Sequence, residues 1–253
     1  MLLVVDIGNT NVVMALYNEK MWASSWRIHS DQMKTSDKYL VIIERMLTQK
    51  GFKPKDISKG IISSVVPNLT RSFQKVVYEL SGVKPITVTH DSGVGINRDS
   101  IPSELGNDLL ANAVAARAIY PEENVVVLDF GTALTLTAVS NKGDILGVSI
   151  VPGLVTAVNS LFLNTAQIPQ VQLRVPDKVL GRTSEQSIQS GIMFGYAGLV
   201  KELIDKTETE ISSSVKVIAT GGLSHTMAPL IGRIDRIEPL HTLEGLKIIA
   251  EAN

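Results

Sequence analysis

Two stretches of this sequence share one plan. Leu2–Tyr17 (LLVVDIGNTNVVMALY) and Val125–Val139 (VVVLDFGTALTLTAV) each run apolar, then Asp, one residue, Gly and a short polar turn, then apolar again. The runs are rich in Val and Leu and too short for ordinary helices, so each stretch predicts two antiparallel strands joined by a turn. Repetition constrains the whole chain, because duplicated segments imply duplicated halves. The expectation is two halves facing each other across a cleft, each offering a carboxylate, Asp6 or Asp129, and a glycine turn.

The chemistry of such turns is specific. In Gly8-Asn9-Thr10-Asn11, Gly8 and Asn9 tolerate unusual backbone angles, while Thr10 and Asn11 add hydrogen-bonding groups. A glycine turn can aim several backbone N–H groups at one anion, which suits phosphate, and Asp6 at a strand end can hold Mg²⁺ directly or through water. The plainer alternative is a surface hairpin in which Asp and Asn only shape the turn. A third glycine signal, Thr220-Gly221-Gly222, follows the strand-like Val215–Ala219. Neither a lysine-bearing P-loop nor G-x-G-x-x-G is present, and strand rather than helix follows the first two turns. Both rival nucleotide folds are disfavoured.

Bulk properties narrow the classes. A chain of 253 residues can build one large domain or two of ordinary size. Lys plus Arg number 24 against 25 Asp plus Glu, which argues against nucleic acid or an anionic membrane as partner. Zero cysteines exclude disulfides, thiolate catalysis and Cys-ligated metal. No basic leader and no membrane-length apolar run stand in the sequence, so a soluble, cytoplasmic protein is expected.

Taken in order, Trp22–Arg27 predicts a further strand, and Thr35-Ser36-Asp37 predicts the cap of a helix over Tyr39–Gln49. Gly60–Val66 predicts a buried strand, Pro67 to about Leu80 a helix, and Val83–Val88 another strand. A polar loop, Asp91–Ser103, leads to a helix over Glu104–Ile119 with Gly106-Asn107-Asp108 in its first turn. The second half repeats the layout with strands over Asn124–Ser140 and Asp144–Val151, a Pro152-Gly153 turn and a helix over Leu154–Leu163. Gln167–Val179 is irregular but keeps apolar residues. A helix over Glu185–Glu208 carries Gly191, Gly195 and Gly198, a pattern expected to admit a closely packed neighbour. Leu223–Ile231 predicts a helix, Ile234–Ile237 a short strand and Thr242–Glu251 the closing helix. Strands alternating with helices predict an α/β fold, divided at 1–120 and 121–253. His29, His90, His225 and His241 lack ligand spacing and are expected in loops or at the surface, and Trp22 and Trp26 in strand packing.

The two Asp-x-Gly turns, the Thr-Gly-Gly signal and the alternating layout resemble the actin-like ATPase and sugar-kinase superfamily. That resemblance implies duplicated ribonuclease H-like halves, mixed sheets flanked by helices and a nucleotide cleft between them. It narrows to the type III pantothenate kinases on segments spanning the chain in the family's order. These are Asp6–Asn11, Lys34–Tyr39, Ser63-Ser64-Val65-Val66-Pro67, Gly106-Asn107-Asp108, Asp129–Ala133, Gln189-Ser190-Gly191 and Thr220–Leu223.

The resemblance implies roles. Asp6, Gly8, Asn9, Thr10 and Asn11 would serve the ATP phosphates, with Asp6 near Mg²⁺. Asp129 would hold a monovalent cation, K⁺ or NH₄⁺, beside a second phosphate clamp at Gly131-Thr132, and Thr220, Gly221 and Gly222 would lie near the nucleoside. Asp108 matches the catalytic aspartate that takes the proton from the pantothenate hydroxyl, with Gly106 and Asn107 in the same acceptor segment. Without the resemblance, Asp108 reads as a helix-start aspartate favoured by the macrodipole. Ser184 matches a threonine that contacts the acceptor from a neighbouring subunit, which implies a homodimer with shared sites.

Departures cluster on the acceptor side. Leu109 stands where the family has arginine, Asp99 where it has tyrosine, Val148 where it has the second of two glycines, and Ser184 replaces threonine. A guanidinium binds carboxylate or phosphate by a bidentate fork, which leucine cannot do; Arg98 or Arg182 are the candidate replacement cations. Two expectations follow. One is an ATP-dependent kinase acting on pantothenate at the first step of coenzyme A synthesis. The other is a divergent relative that binds nucleotide but uses another acceptor, or none, as a regulatory protein.

Overall fold

The computed structural model describes residues 1–163 and 171–253. By their contacts these residues form two compact units, Met1–Ala115 with His241–Asn253, and Ala116–Leu240. Of the stretch expected to be irregular, residues 167–170 lie outside the described residues, while Val171 is buried and Leu173 packs on the core of the second unit. Among the described residues no helix is long and apolar enough to cross a membrane.

In the first unit, β1 (Leu2–Ile7), β2 (Asn11–Tyr17), β3 (Trp22–His29), β4 (Lys59–Ser64) and β5 (Ile86–Thr87) form one sheet in the order β3-β2-β1-β4-β5. β1 pairs antiparallel with β2 and parallel with β4. Alternation decides the faces. Leu3, Val5 and Ile7, with Val12, Met14, Leu16 and Ile62, enter a core covered by α1 (Ser36–Gln49) and α2 (Pro67–Ser81). Thr35 caps α1 by accepting from the N–H of Lys38. From α1 come Tyr39, Ile43 and Leu47; from α2 come Leu69, Phe73 and Val76. The Tyr39 ring is fully buried against Phe73, and its hydroxyl accepts from the N–H of Asp31 at 2.9 Å and donates to the Asp31 carbonyl at 3.0 Å.

Asp6 belongs to the opposite face. There α7 (His241–Ala252) packs on β1 and β4, next to α3 (Asn107–Ile119). The last helix of the chain therefore lies with the first unit rather than with the second stretch of chain it closes. Gly245 permits this, because a Cβ there would overlap the backbone of Ala111. His241, expected at the surface, is fully buried in that packing, its Nε2 at 3.0 Å from the carbonyl oxygen of Asn112.

The second unit repeats the plan. β6 (Val125–Phe130), β7 (Ala133–Val139), β8 (Ile145–Pro152), β9 (Lys216–Gly221) and β10 (Arg236–Ile237) lie in the order β8-β7-β6-β9-β10. β6 pairs antiparallel with β7 and parallel with β9, just as β1 pairs with β2 and β4. Val126, Leu128 and Phe130 enter a core with α4 (Leu154–Leu163), α5 (Ser184–Ile211) and α6 (Ser224–Ile231). Asp129 lies on the other face, as Asp6 does in its unit. Among the described residues the glycines of α5 serve no close packing. A Cβ at Gly191, Gly195 or Gly198 would meet no atom within 4 Å among the described residues.

Candidate active site

The first glycine turn is held by hydrogen bonds on both sides. The N–H of Gly8 donates to the Asn11 carbonyl at 3.0 Å. Ser30, just past β3, donates its hydroxyl to the Gly8 carbonyl at 2.6 Å and its N–H to the Thr10 carbonyl at 2.9 Å. Neither Gly8 nor Asn9 has a positive φ, contrary to expectation. Glycine is favoured at position 8 by space instead, since a Cβ would stand 3.2 Å from the Asn11 oxygen.

Asp6 sits opposite Val13 of β2 and Ser63 of β4, so its carboxylate and the Ser63 hydroxyl share a sheet face. The two adjacent serines differ. Ser64 Oγ is engaged, donating to the Val66 carbonyl at 3.1 Å and accepting from the Val66 N–H at 3.0 Å. Ser63 Oγ is buried with no hydrogen-bond partner among the described residues.

The Asp108 segment reaches the end of this strand. Asn107 Nδ2 donates to the Ser64 carbonyl at 3.3 Å, tying the start of α3 to β4. The Asp108 carboxylate accepts from the N–H of Leu109 at 2.9 Å and folds over Gly106, where a Cβ would overlap Oδ1. Two effects compete on this group. Burial raises its pKa above the ordinary carboxylate range, while the N–H groups of Leu109 and of Asp108 itself lower it, and burial prevails. No Lys or Arg is among the groups that shift it.

In the second unit the N–H of Gly131 donates to the Ala133 carbonyl at 3.1 Å. The Thr132 carbonyl accepts from the N–H of Gly153 at 2.9 Å and from Thr156 Oγ1 at 2.7 Å. Gly153 lies so close that a Cβ would overlap the Gly131 carbonyl oxygen and stand 2.6 Å from that of Thr132. Tyr196 donates its hydroxyl to the Pro152 carbonyl at 2.7 Å and steadies the same bend. Gly221, at φ +86°, sits against Asp129, where a Cβ would be 2.7 Å from Oδ1. The positive φ makes glycine the natural residue there. Asp129 is in register with Thr135 of β7 and Thr220 of β9. Among the described residues Thr135 Oγ1 is buried without a hydrogen-bond partner, as is Thr137 Oγ1 further along the strand.

Residues 2–206 fit the family model for type III pantothenate kinases. A type III pantothenate kinase from Moorella thermoacetica is 37% identical over 254 residues, covering all of both chains. One from Finegoldia magna is 38% identical over 256 residues, covering all of this chain and 97% of that protein. The chain belongs to the type III pantothenate kinase family. For the fold, a Baf family protein from Campylobacter jejuni superposes with a TM-score of 0.61 at 22% identity, covering 99% and 98% of the two chains. MreB 5 of Spiroplasma citri bound to AMPPNP gives 0.54 at 11%, covering 99% and 96%. Duplicated actin-like α/β halves with mixed sheets are thus the fold of this kinase family member.

The remaining sequence-predicted residues lie in their own units as follows. Leu109 is a buried side chain, and only its N–H serves Asp108. Asp99 is exposed in a 3₁₀ turn at Arg98–Ser100. Arg98 is engaged with Asp91, donating to its carbonyl at 3.1 Å at the exposed surface. Ser184 is exposed at the first residue of α5, next to the capping Thr183, and Arg182 precedes them. Gly222 is exposed after β9. Sequence reading passed over Ser30, Ser63, Thr135, Thr156 and Tyr196. Only Ser63 carried a signal, as part of Ser63-Ser64-Val65-Val66-Pro67.

Proposed function

We propose that this chain transfers the γ-phosphoryl group of ATP to the hydroxyl of pantothenate, giving 4′-phosphopantothenate and ADP. The observation that carries this reading is Asp108, held at the start of α3 over Gly106, with a carboxyl whose pKa burial raises. A base must be ionised yet able to take a proton, and a pKa moved toward the working pH serves both needs. The pantothenate oxygen attacks the γ-phosphorus, the bond from that phosphorus to the ADP oxygen breaks, and the hydroxyl proton passes to the Asp108 carboxylate. Phosphoryl transfer of this kind depends mainly on positioning and charge neutralisation.

Gly8, Asn9, Thr10 and Asn11, with Gly131 and Thr132, are proposed to present hydrogen-bond donors to the ATP phosphates, and Thr220, Gly221 and Gly222 to border the nucleoside. Asp6 fits Mg²⁺. Among the described residues no group of three or more His, Asp or Glu could cage a metal, and Mg²⁺ commonly takes one or two carboxylates together with substrate phosphates. When bound it would neutralise phosphate charge. Asp129, beside Gly221, is the proposed K⁺ or NH₄⁺ residue. Gly106, Asn107 and Ser184 are proposed to border pantothenate. Ser184 would act across a homodimer, and a monomer at micromolar concentration by light scattering would contradict that. A cytoplasmic location is part of the same proposal.

Leu109 and Asp99 weaken the acceptor side in this reading. Losing one charge-assisted contact typically costs about 1.5–3 kcal/mol, which is roughly ten- to a hundredfold in affinity. A raised KM for pantothenate is therefore expected. The test is product identity. Incubation with ATP, Mg²⁺, K⁺ and millimolar pantothenate, followed by ³¹P NMR, should show a new phosphate monoester in step with ADP. Absence of that resonance despite measurable ATP binding would refute the proposal.

A further inference from the structure

Ser63 is fully buried, and its hydroxyl has no hydrogen-bond partner among the described residues. Buried polar groups without partners are rare, and the desolvation they cost is not recovered in the fold. Position 63 lies beside Ile61 and Ile62 in a strand whose interior is otherwise apolar, so packing alone would favour alanine. Its neighbour in register on β1 is Asp6, and the two side chains leave the sheet on one face.

The second unit repeats the arrangement. Thr220 of β9 stands beside Asp129 as Ser63 of β4 stands beside Asp6, and Thr135 of β7 adds a second hydroxyl there, buried and without a partner. Each of the two aspartates therefore has, in its own register row, a hydroxyl unengaged among the described residues. A carboxylate that binds a cation turns one oxygen to the ion and leaves the other to be steadied by a nearby donor.

We propose that Ser63 is a positioning residue whose hydroxyl donates to the Asp6 carboxylate when the Mg²⁺ complex of the nucleotide is bound, fixing the oxygen that faces the ion. This rests on the reading of Asp6 as the Mg²⁺ carboxylate. Ser63 itself touches no reacting atom. Its effect should appear in the metal dependence of binding and in KM for Mg²⁺, with a smaller change in kcat.

The experiment is calorimetric titration of the intact protein with AMPPNP, in the presence of Mg²⁺ and in EDTA, for the parent and for Ser63→Ala, Ser63→Thr and Asp6→Asn. Ser63→Ala should weaken Mg²⁺-dependent binding about tenfold, the low end for loss of a group that orients a metal ligand. Binding in EDTA should be unchanged. The unliganded Tm should stay equal or rise, since the hydroxyl removed serves nothing there. Ser63→Thr keeps the hydroxyl in a setting like that of Thr220 and should recover the affinity. If Asp6→Asn weakens Mg²⁺-dependent binding while Ser63→Ala does not, the role of Ser63 is overturned and that of Asp6 stands. If Asp6→Asn has no effect, both fall. A Ser63→Ala chain that melts several degrees lower without ligand would show that the hydroxyl is engaged in the unliganded fold, and would also overturn the proposal.

Discussion

The two glycine turns are built alike and clamped differently. In each unit the turn joins the central strand to its antiparallel neighbour, and the residue just past the third strand holds it. In the first unit that residue is Ser30, which reaches the Gly8 carbonyl with a side chain and the Thr10 carbonyl with its backbone. In the second it is Gly153, which approaches Thr132 with backbone alone and closely enough to exclude any Cβ. The first turn also spends one residue more, Gly8-Asn9-Thr10 against Gly131-Thr132. A longer loop pinned by a side chain can yield; a shorter one packed backbone to backbone cannot. The residues that hold the two turns, Ser30 and Gly153, should therefore differ in how far they tolerate substitution.

Gly153→Ala is expected to have the largest effect on stability. Its methyl would strike backbone rather than a movable side chain, and overpacking of this kind costs about 1–3 kcal/mol or more. Thermal unfolding should drop by several degrees and ATP-dependent turnover should fall with it; an unchanged Tm would show that the second turn yields as readily as the first. Ser30→Ala comes next. It removes one hydrogen bond and leaves the Gly8 carbonyl to find water, worth about 0.5–1.5 kcal/mol, and denaturant titration should find the loss in the midpoint with the slope unchanged.

Asp108 belongs to the first unit. Because burial raises the pKa of Asp108, the folded chain holds its proton more tightly than the unfolded one. Stability then falls as pH rises from the ordinary carboxylate range through the raised value, and stays lower above it. Asp108→Asn should be more stable than the parent at pH 7, with the advantage fading as pH falls through that window. Melting curves taken from the ordinary carboxylate range upward should show the two chains converging at the acid end. The smallest effect belongs to Gly8→Ala. Its φ is ordinary and its one tight contact, 3.2 Å to the Asn11 oxygen, can be relieved by a small shift of the turn, so the stability loss should be only about 0.5 kcal/mol, with a further loss in KM for ATP. A loss as large as that of Gly153→Ala would erase the contrast between the turns.

Much of this was legible in the sequence because it is written in local pattern. The Asp-x-Gly turns, the Thr35 cap and the start of α2 at Pro67 each follow from neighbouring residues. What escaped depends on distant pairings. α7 reads as the closing helix of the chain, and nothing local says that it covers β1 and β4; Gly245 in mid-helix is the local trace of the close approach to Ala111. The burial of His241 follows from the same packing. Gly191, Gly195 and Gly198 show the reverse, a small-residue pattern that predicts a close neighbour where this chain supplies none among the described residues. Ser63 sits in a recognisable segment, yet the register that sets it beside Asp6 exists only once the sheet is paired.

The most direct test of the central claim separates chemistry from binding at Asp108. Initial rates of ADP release with ATP and pantothenate should fall by at least a hundredfold in Asp108→Asn, in line with loss of a general base, while the affinity for AMPPNP with Mg²⁺ stays within about twofold of the parent. In the parent, kcat/KM should climb with pH through a value above the ordinary carboxylate range, because the base must be ionised to act. Turnover that survives in Asp108→Asn with that pH dependence intact would contradict the account.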